Sequence, residues 1–152
     1  QGLPAAEGDN DVHPEWIAGS MAISIEKFHE KCDANGIPRD AYTVVAGCYV
    51  DTLKDTAPGA QLSNIALAYI DCDLYSSTRT VLEFLMPRLK HGMIIAFDDY
   101  FCWSATHVSG ERQAMLEFFH NNPDWELVPY MPFSWGGQSF VVESRRISGI
   151  TV

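Results

Sequence analysis

Hydrophobic and polar positions fall into two alternating rhythms along the chain, one with helical spacing and one of short unbroken apolar runs. In SIEKFHEKCDANG, Phe28 and Cys32 share a face, which predicts a helix opened by Ser24 and stopped by Gly36. YTVVAG, Tyr42 to Gly47, is β-branched, apolar and closed by glycine, and predicts a buried strand. Asp51-Thr52-Leu53 then begins a short helical turn. The most apolar run is NIALAYID, Asn64 to Asp71; it is continuous rather than alternating, as expected where both sheet faces are covered. Ser76, Ser77 and Thr78 are N-cap candidates for the next helix, whose inward set is Val81, Leu82, Leu85 and Leu89, with Pro87 weakening the last turn. His91-Gly92 breaks that helix, and Met93 to Phe97 predicts another buried strand, ending in Asp98-Asp99. Gly110 to His120 has amphipathic spacing with Ala114, Met115, Phe118 and Phe119 inward. WELVPYM and SFVVESR close the chain as strands, and the linker with Pro132 and Gly136-Gly137 suits an antiparallel pair.

Strand and helix thus alternate before two final strands. That order predicts an α/β fold of Rossmann-like type: a mostly parallel sheet with helices on both faces and a C-terminal antiparallel pair. A length of 152 residues suits one domain, and 47% hydrophobic with 20% charged residues is ordinary globular composition. The net charge of -10 argues against nucleic-acid phosphate as a partner, which needs clustered Lys and Arg. No run reaches the ~20 apolar residues of a membrane span, and no signal peptide opens the chain. Cys32, Cys48, Cys72 and Cys102 form no C-x-x-C pair, so reduced thiols and a cytoplasmic location are expected. The chain opens on Gln1 and a loop-like QGLPAAEGDND, and reads as a segment of a longer protein.

Charge changes the picture at two strand ends. In α/β sheets ligands bind beyond the carboxyl ends of strands. Asp71 and Asp73 close one buried strand, and Asp98 and Asp99 close the next. Carboxylates in contact raise one another's pKa, and neither IDCDLY nor AFDDY holds a Lys or Arg; Arg79 is the nearest. A hard divalent cation, Mg²⁺ or Ca²⁺, is the simplest counter-charge. A single Asp at a strand end is more often a cap or turn residue; two doublets at successive strand ends favour a site.

D-x-D followed by a later Asp pair also occurs in phosphatases of the haloacid dehalogenase type. Against that reading, Leu74 and Tyr75 follow the pair where a small hydroxyl residue is favoured, and one helix between the motifs leaves no room for the intervening Lys element. The first motif also lies far from the chain start. Tyr75, Tyr100 and Trp103 flank the acidic motifs as candidate acceptor contacts, with packing under a loop the competing reading. His107 is a further candidate contact or base, with plain surface exposure competing.

Taken together, GLP (Gly2 to Pro4), VVAGCYVDTL, YIDCDLYSST, AFDDY and GERQAMLEFF resemble the macrocin O-methyltransferase family, in order and over nearly the whole chain. These are class I S-adenosylmethionine-dependent enzymes that methylate sugar hydroxyls of natural products. The resemblance implies Mg²⁺-dependent methyl transfer to a sugar or vicinal-diol hydroxyl of a small-molecule glycoside. By position it implies Asp71, Asp98 and Asp99 as metal ligands and Asp73 as general base, with the roles of Asp71 and Asp73 open to exchange. Gly47, Cys48, Tyr49 and Asp71 are expected to border the methyl donor. The family's Gly-rich donor loop has no counterpart here, so the chain corresponds to the C-terminal portion of a methyltransferase domain and is expected to bind the donor poorly alone. The competing class is a truncated, non-catalytic binding or homo-oligomerisation module, favoured by an uncovered sheet edge.

Overall fold

A computed structural model describes residues 2–54, 62–102 and 106–145. Helix α1 spans Ile25–Ala34; Ser24 caps it by accepting from Lys27 N at 3.2 Å, and Gly36 ends it at φ +71°. A single turn, α2, spans Tyr49–Thr52. Strand β1 (Leu67–Ile70) leads into α3 (Tyr75–Leu85), a 3-10 turn carrying Pro87, and β2 (Ile94–Phe97). Helix α4 (Gly110–Asn121) precedes the hairpin of β3 (Trp125–Phe133) and β4 (Gly137–Ser144).

The sheet order is β1-β2-β4-β3, parallel between β1 and β2 and antiparallel elsewhere. The α/β class and the closing antiparallel pair are as the sequence predicts, but the sheet is mixed rather than mostly parallel. The difference is Tyr42–Gly47, expected as a strand, which pairs with none of the four. A strand persists only where a neighbour takes its N–H and C=O groups, whatever its β-branched content. Val44 and Val45 stay exposed instead, while Tyr42 bonds His29 Nδ1 at 2.7 Å and stacks edge-on to Phe28.

Side chains alternate across the sheet, so one face carries Ile70, Ile95, Phe140 and Val142, all buried. Leu82 and Leu85 of α3 and Ala114 and Met115 of α4 pack with them into one core, each fully buried large side chain contributing ~1.5–3 kcal/mol. On the other face Leu67 and Tyr69 of β1 are each 56% exposed, so the described helices cover one side more fully than the other.

The start of α3 also departs from expectation. Ser76, Ser77 and Thr78 lie within its first turn, and the N-cap is Leu74, which has no capping side chain. Asp11, 65 residues upstream of Ser76, supplies the acceptor: its Oδ1 takes the Ser76 N–H at 2.8 Å and its Oδ2 the Glu7 N–H at 2.8 Å. This fully buried carboxylate pins the N-terminal segment onto the helix that follows β1.

Candidate active site

Because Ile70 and Phe97 are register partners in a parallel pair, both strands leave the sheet side by side. The ladder runs one step further, Asp98 N donating to Ile70 O at 2.9 Å. Asp71, Asp73 and Asp99 each present a carboxylate oxygen within 4.8 Å of the others. Oxygens sharing one Mg²⁺ or Ca²⁺ at about 2.0–2.6 Å lie no more than about 5 Å apart, so the three fit a single hard cation. Asp73 reaches this position through a left-handed backbone, φ +58°, a conformation Asp tolerates better than most residues and one that collects at functional sites. Asp98 does not join the three; it accepts a hydrogen bond from the Tyr69 hydroxyl.

The electrostatics follow from this crowding. Burial first, then the charges of Asp99 and Asp71, push the Asp73 carboxyl up to about 7. Burial, then Asp98 and Asp99, raise Asp71; burial raises Asp99 against the pull of the Cys102 thiol. The ion pairs of the described residues, Arg79–Glu83 and Arg39–Asp33 among them, include none of these carboxylates.

Behind the three lies a fourth carboxylate. Glu111, in the first turn of α4, is fully buried; its Oε1 accepts from Cys72 N at 2.8 Å and its Oε2 from Asp99 N at 3.0 Å. Burial pushes it up to about 8 against the pull of those two bonds. The sequence offered only an acid near a helix start, which reads as a dipole complement. What buries it is the docking of α4. Gly110 has φ +57°, and a Cβ there would stand 2.8 Å from Trp16 and 2.9 Å from Asp73 O, so only glycine lets the helix start so close.

A cavity of about 480 Å³ opens beside Asp71 and Asp73. One wall is the GLP segment, clipped in place by Leu3 N to Ser20 O at 2.9 Å and Gly19 N to Leu3 O at 2.8 Å; the facing wall is Gly47, Cys48 and Tyr49. The structure thus brings together all four residues expected to border a methyl donor. The candidate acceptor contacts scatter. Tyr75 donates to Glu117 at 2.5 Å and lines a separate cavity with Asp11 and Arg79. Tyr100 is buried against Phe97 and Phe140, while His107 is exposed with its Nδ1 3.0 Å from Thr106 Oγ1. Trp103 lies outside the described residues.

Known proteins resemble this chain in sequence and in fold. The chain is 36% identical over 102 residues to a Streptomyces olivaceus 8-demethyl-8-(2,3-dimethoxy-alpha-L-rhamnosyl)-tetracenomycin-C 4'-O-methyltransferase, covering 65% of the chain and 38% of that protein. It is 26% identical over 127 residues to a Micromonospora griseorubida mycinamicin III 3''-O-methyltransferase, covering 77% and 48%. The chain therefore spans less than half the length of these curated relatives. The solved O-methyltransferase NovP superposes with a TM-score of 0.68 at 23% identity, covering 95% of this chain and 57% of that one, a likeness of fold. Residues 1–122, which contain both acidic strand tips and the GLP wall, match the family model of macrocin O-methyltransferase (TylF), and the chain belongs to that family.

Proposed function

We propose that this chain forms the cation-binding and acceptor-activating portion of an S-adenosylmethionine-dependent sugar O-methyltransferase acting on a hydroxyl of a natural-product glycoside. The observation that carries the reading is the approach of Asp71, Asp73 and Asp99 to within 4.8 Å at adjoining strand tips, beside the cavity walled by GLP and Gly47–Tyr49. The relatives' names support the substrate class, both being O-methyltransferases of glycosylated compounds. S-adenosylmethionine supplies a methyl already activated as a sulfonium, and Mg²⁺ supplies the positive charge that acidifies an acceptor hydroxyl.

Asp71 and Asp99 are the proposed ligands that face the cluster directly. Asp98, which accepts from the Tyr69 hydroxyl and lies outside the three, would add a further carboxylate beside them. Asp73 is the proposed general base. Its backbone takes a left-handed turn, and burial makes its carboxylate more basic than an ordinary one, the property needed to accept a hydroxyl proton near neutral pH. The cavity wall then serves to hold the reacting oxygen and methyl carbon in line and to exclude water.

Calorimetric titration with Mg²⁺ tests the cation half: millimolar or tighter binding is expected, weakened at least about tenfold by Asp99→Asn, a loss of more than ~1.4 kcal/mol. Absence of any metal effect would sink it. For the transfer half, Asp73→Asn is expected to lower kcat by ~10²–10⁴ with KM little changed, the usual contribution of a general base. This is measured with deoxysugar glycosides as acceptors in a chain carrying the family's full length.

A further inference from the structure

Three acidic side chains crowd two loop tips, and the tips are held close. The ladder explains part of this, since Asp98 N bonds Ile70 O, but it ends there. Beyond it, the Asp73 and Asp99 carboxyl groups hydrogen-bond each other, and the backbones of residues 71–73 and residue 99 are bridged by Glu111, which spends one oxygen on each loop. Both acceptor bonds go to backbone N–H groups, so the spacing of the loops is fixed independently of the rotamers of Asp71, Asp73 and Asp99. Glu111 is completely buried, so its oxygens have no water to turn to and the tie is costly to break.

We infer that Glu111 is a positioning residue of the cation site: its carboxylate clamps the Asp71–Asp73 loop to Asp99 and sets the ligand spacing that a divalent cation meets. The inference rests on the cation reading above and goes beyond it, assigning a role to a residue that touches neither cation nor substrate. The chemistry of the clamp requires two acceptor oxygens. Glutamine keeps the volume and one acceptor but turns an NH₂ toward the second N–H, so one tie is lost and replaced by a donor–donor contact. Aspartate keeps both oxygens but is one methylene too short to span both loops.

The test uses Mn²⁺ as probe, its affinity followed by electron paramagnetic resonance, with backbone amide exchange of Cys72 and Asp99 read by NMR in the same samples. Glu111→Gln is expected to remain folded by circular dichroism, to bind Mn²⁺ at least about tenfold more weakly, and to lose protection at Cys72 or Asp99 while the β2 amides stay protected. Wild-type Mn²⁺ affinity in folded Glu111→Gln would overturn the inference, since a merely structural glutamate leaves the ligand spacing unchanged. Should the glutamine variant not fold, Glu111→Asp is measured in its place with the same two outcomes. Failure of the wild-type chain to bind Mn²⁺ at all would be a failure of the cation reading. The amide exchange then decides the clamp alone: protection lost on substitution upholds it, and fast exchange at Cys72 and Asp99 already in the wild type overturns it.

Discussion

At the residue scale the site is a problem of crowded negative charge, and pH is the variable that exposes it. The Asp73 carboxyl, pushed up to about 7 by burial and by Asp99 and Asp71, prefers its proton in the folded state far more than in the unfolded chain. Its contribution to stability is therefore fully present below the unfolded value near 4 and is lost as pH rises through about 7. Glu111, pushed up to about 8, acts in the same sense over a slightly higher range. Without divalent cations the melting temperature is expected to fall between pH 5 and pH 8, and added Mg²⁺ is expected to raise it more at pH 8 than at pH 5. Thermal scans at both pH values check this; a metal-free melting temperature that is flat or rises over that interval would contradict it. The positions of Asp71, Asp73 and Asp99 were legible because each follows an apolar run that could only be a buried strand. The contact of Asp98 with Tyr69 was not, because it depends on which side of the sheet each side chain leaves, and one residue of register decides that.

At the scale of elements, helices were read most faithfully. Helical spacing of Leu82, Leu85, Ala114 and Met115 is a local signal, and all four are buried in the shared core. Tyr42–Gly47 failed as a strand because pairing is a property of two segments, and its composition describes one. The capping of α3 was hidden for a related reason: the acceptor comes from Asp11, far from the hydroxyl-rich SSTRT that local rules select. Asp11→Ala removes the buried carboxylate that accepts from the Ser76 and Glu7 N–H groups, and is expected to cost ~0.5–2 kcal/mol in urea denaturation, the usual cost of losing a helix cap. It is also expected to loosen the segment that walls the donor-side cavity, since Glu7 and Ser76 both line it. A cost below ~0.3 kcal/mol would show that α3 starts as well without the distant cap.

At the scale of the whole molecule, family membership removes the phosphatase alternative, since the match runs through both acidic motifs. No helix of the described residues is long and apolar enough to cross a membrane. What the arrangement leaves open is the β1 margin of a face, where Leu67 and Tyr69 are exposed, while Ala96 and Ser139 further along it are buried. Leu67 and Tyr69 lie in register with Ile94 and Ala96 of β2, which align in turn with Val141 and Ser139 of β4. Tyr130 and Met131 stand 59% and 52% exposed on β3 at the far edge of the sheet. β1 is also an edge strand among the described residues, with backbone groups on one side unpaired by the sheet. An apolar face beside an unpaired edge favours a second copy of the same chain, whose own β1 offers the matching donors and acceptors. The chain as it stands is expected to self-associate in gel filtration at high concentration. Leu67→Glu, on an exposed position that the core does not use, is expected to raise the dissociation constant at least about tenfold, because a buried leucine contributes ~1.5–3 kcal/mol per copy. The same substitution should leave Mg²⁺ affinity alone, since Leu67 sits at the opposite end of β1 from Asp71. A wild-type chain that elutes as a monomer at every concentration, or a Leu67→Glu variant that associates as tightly as wild type, would count against this face as the interface.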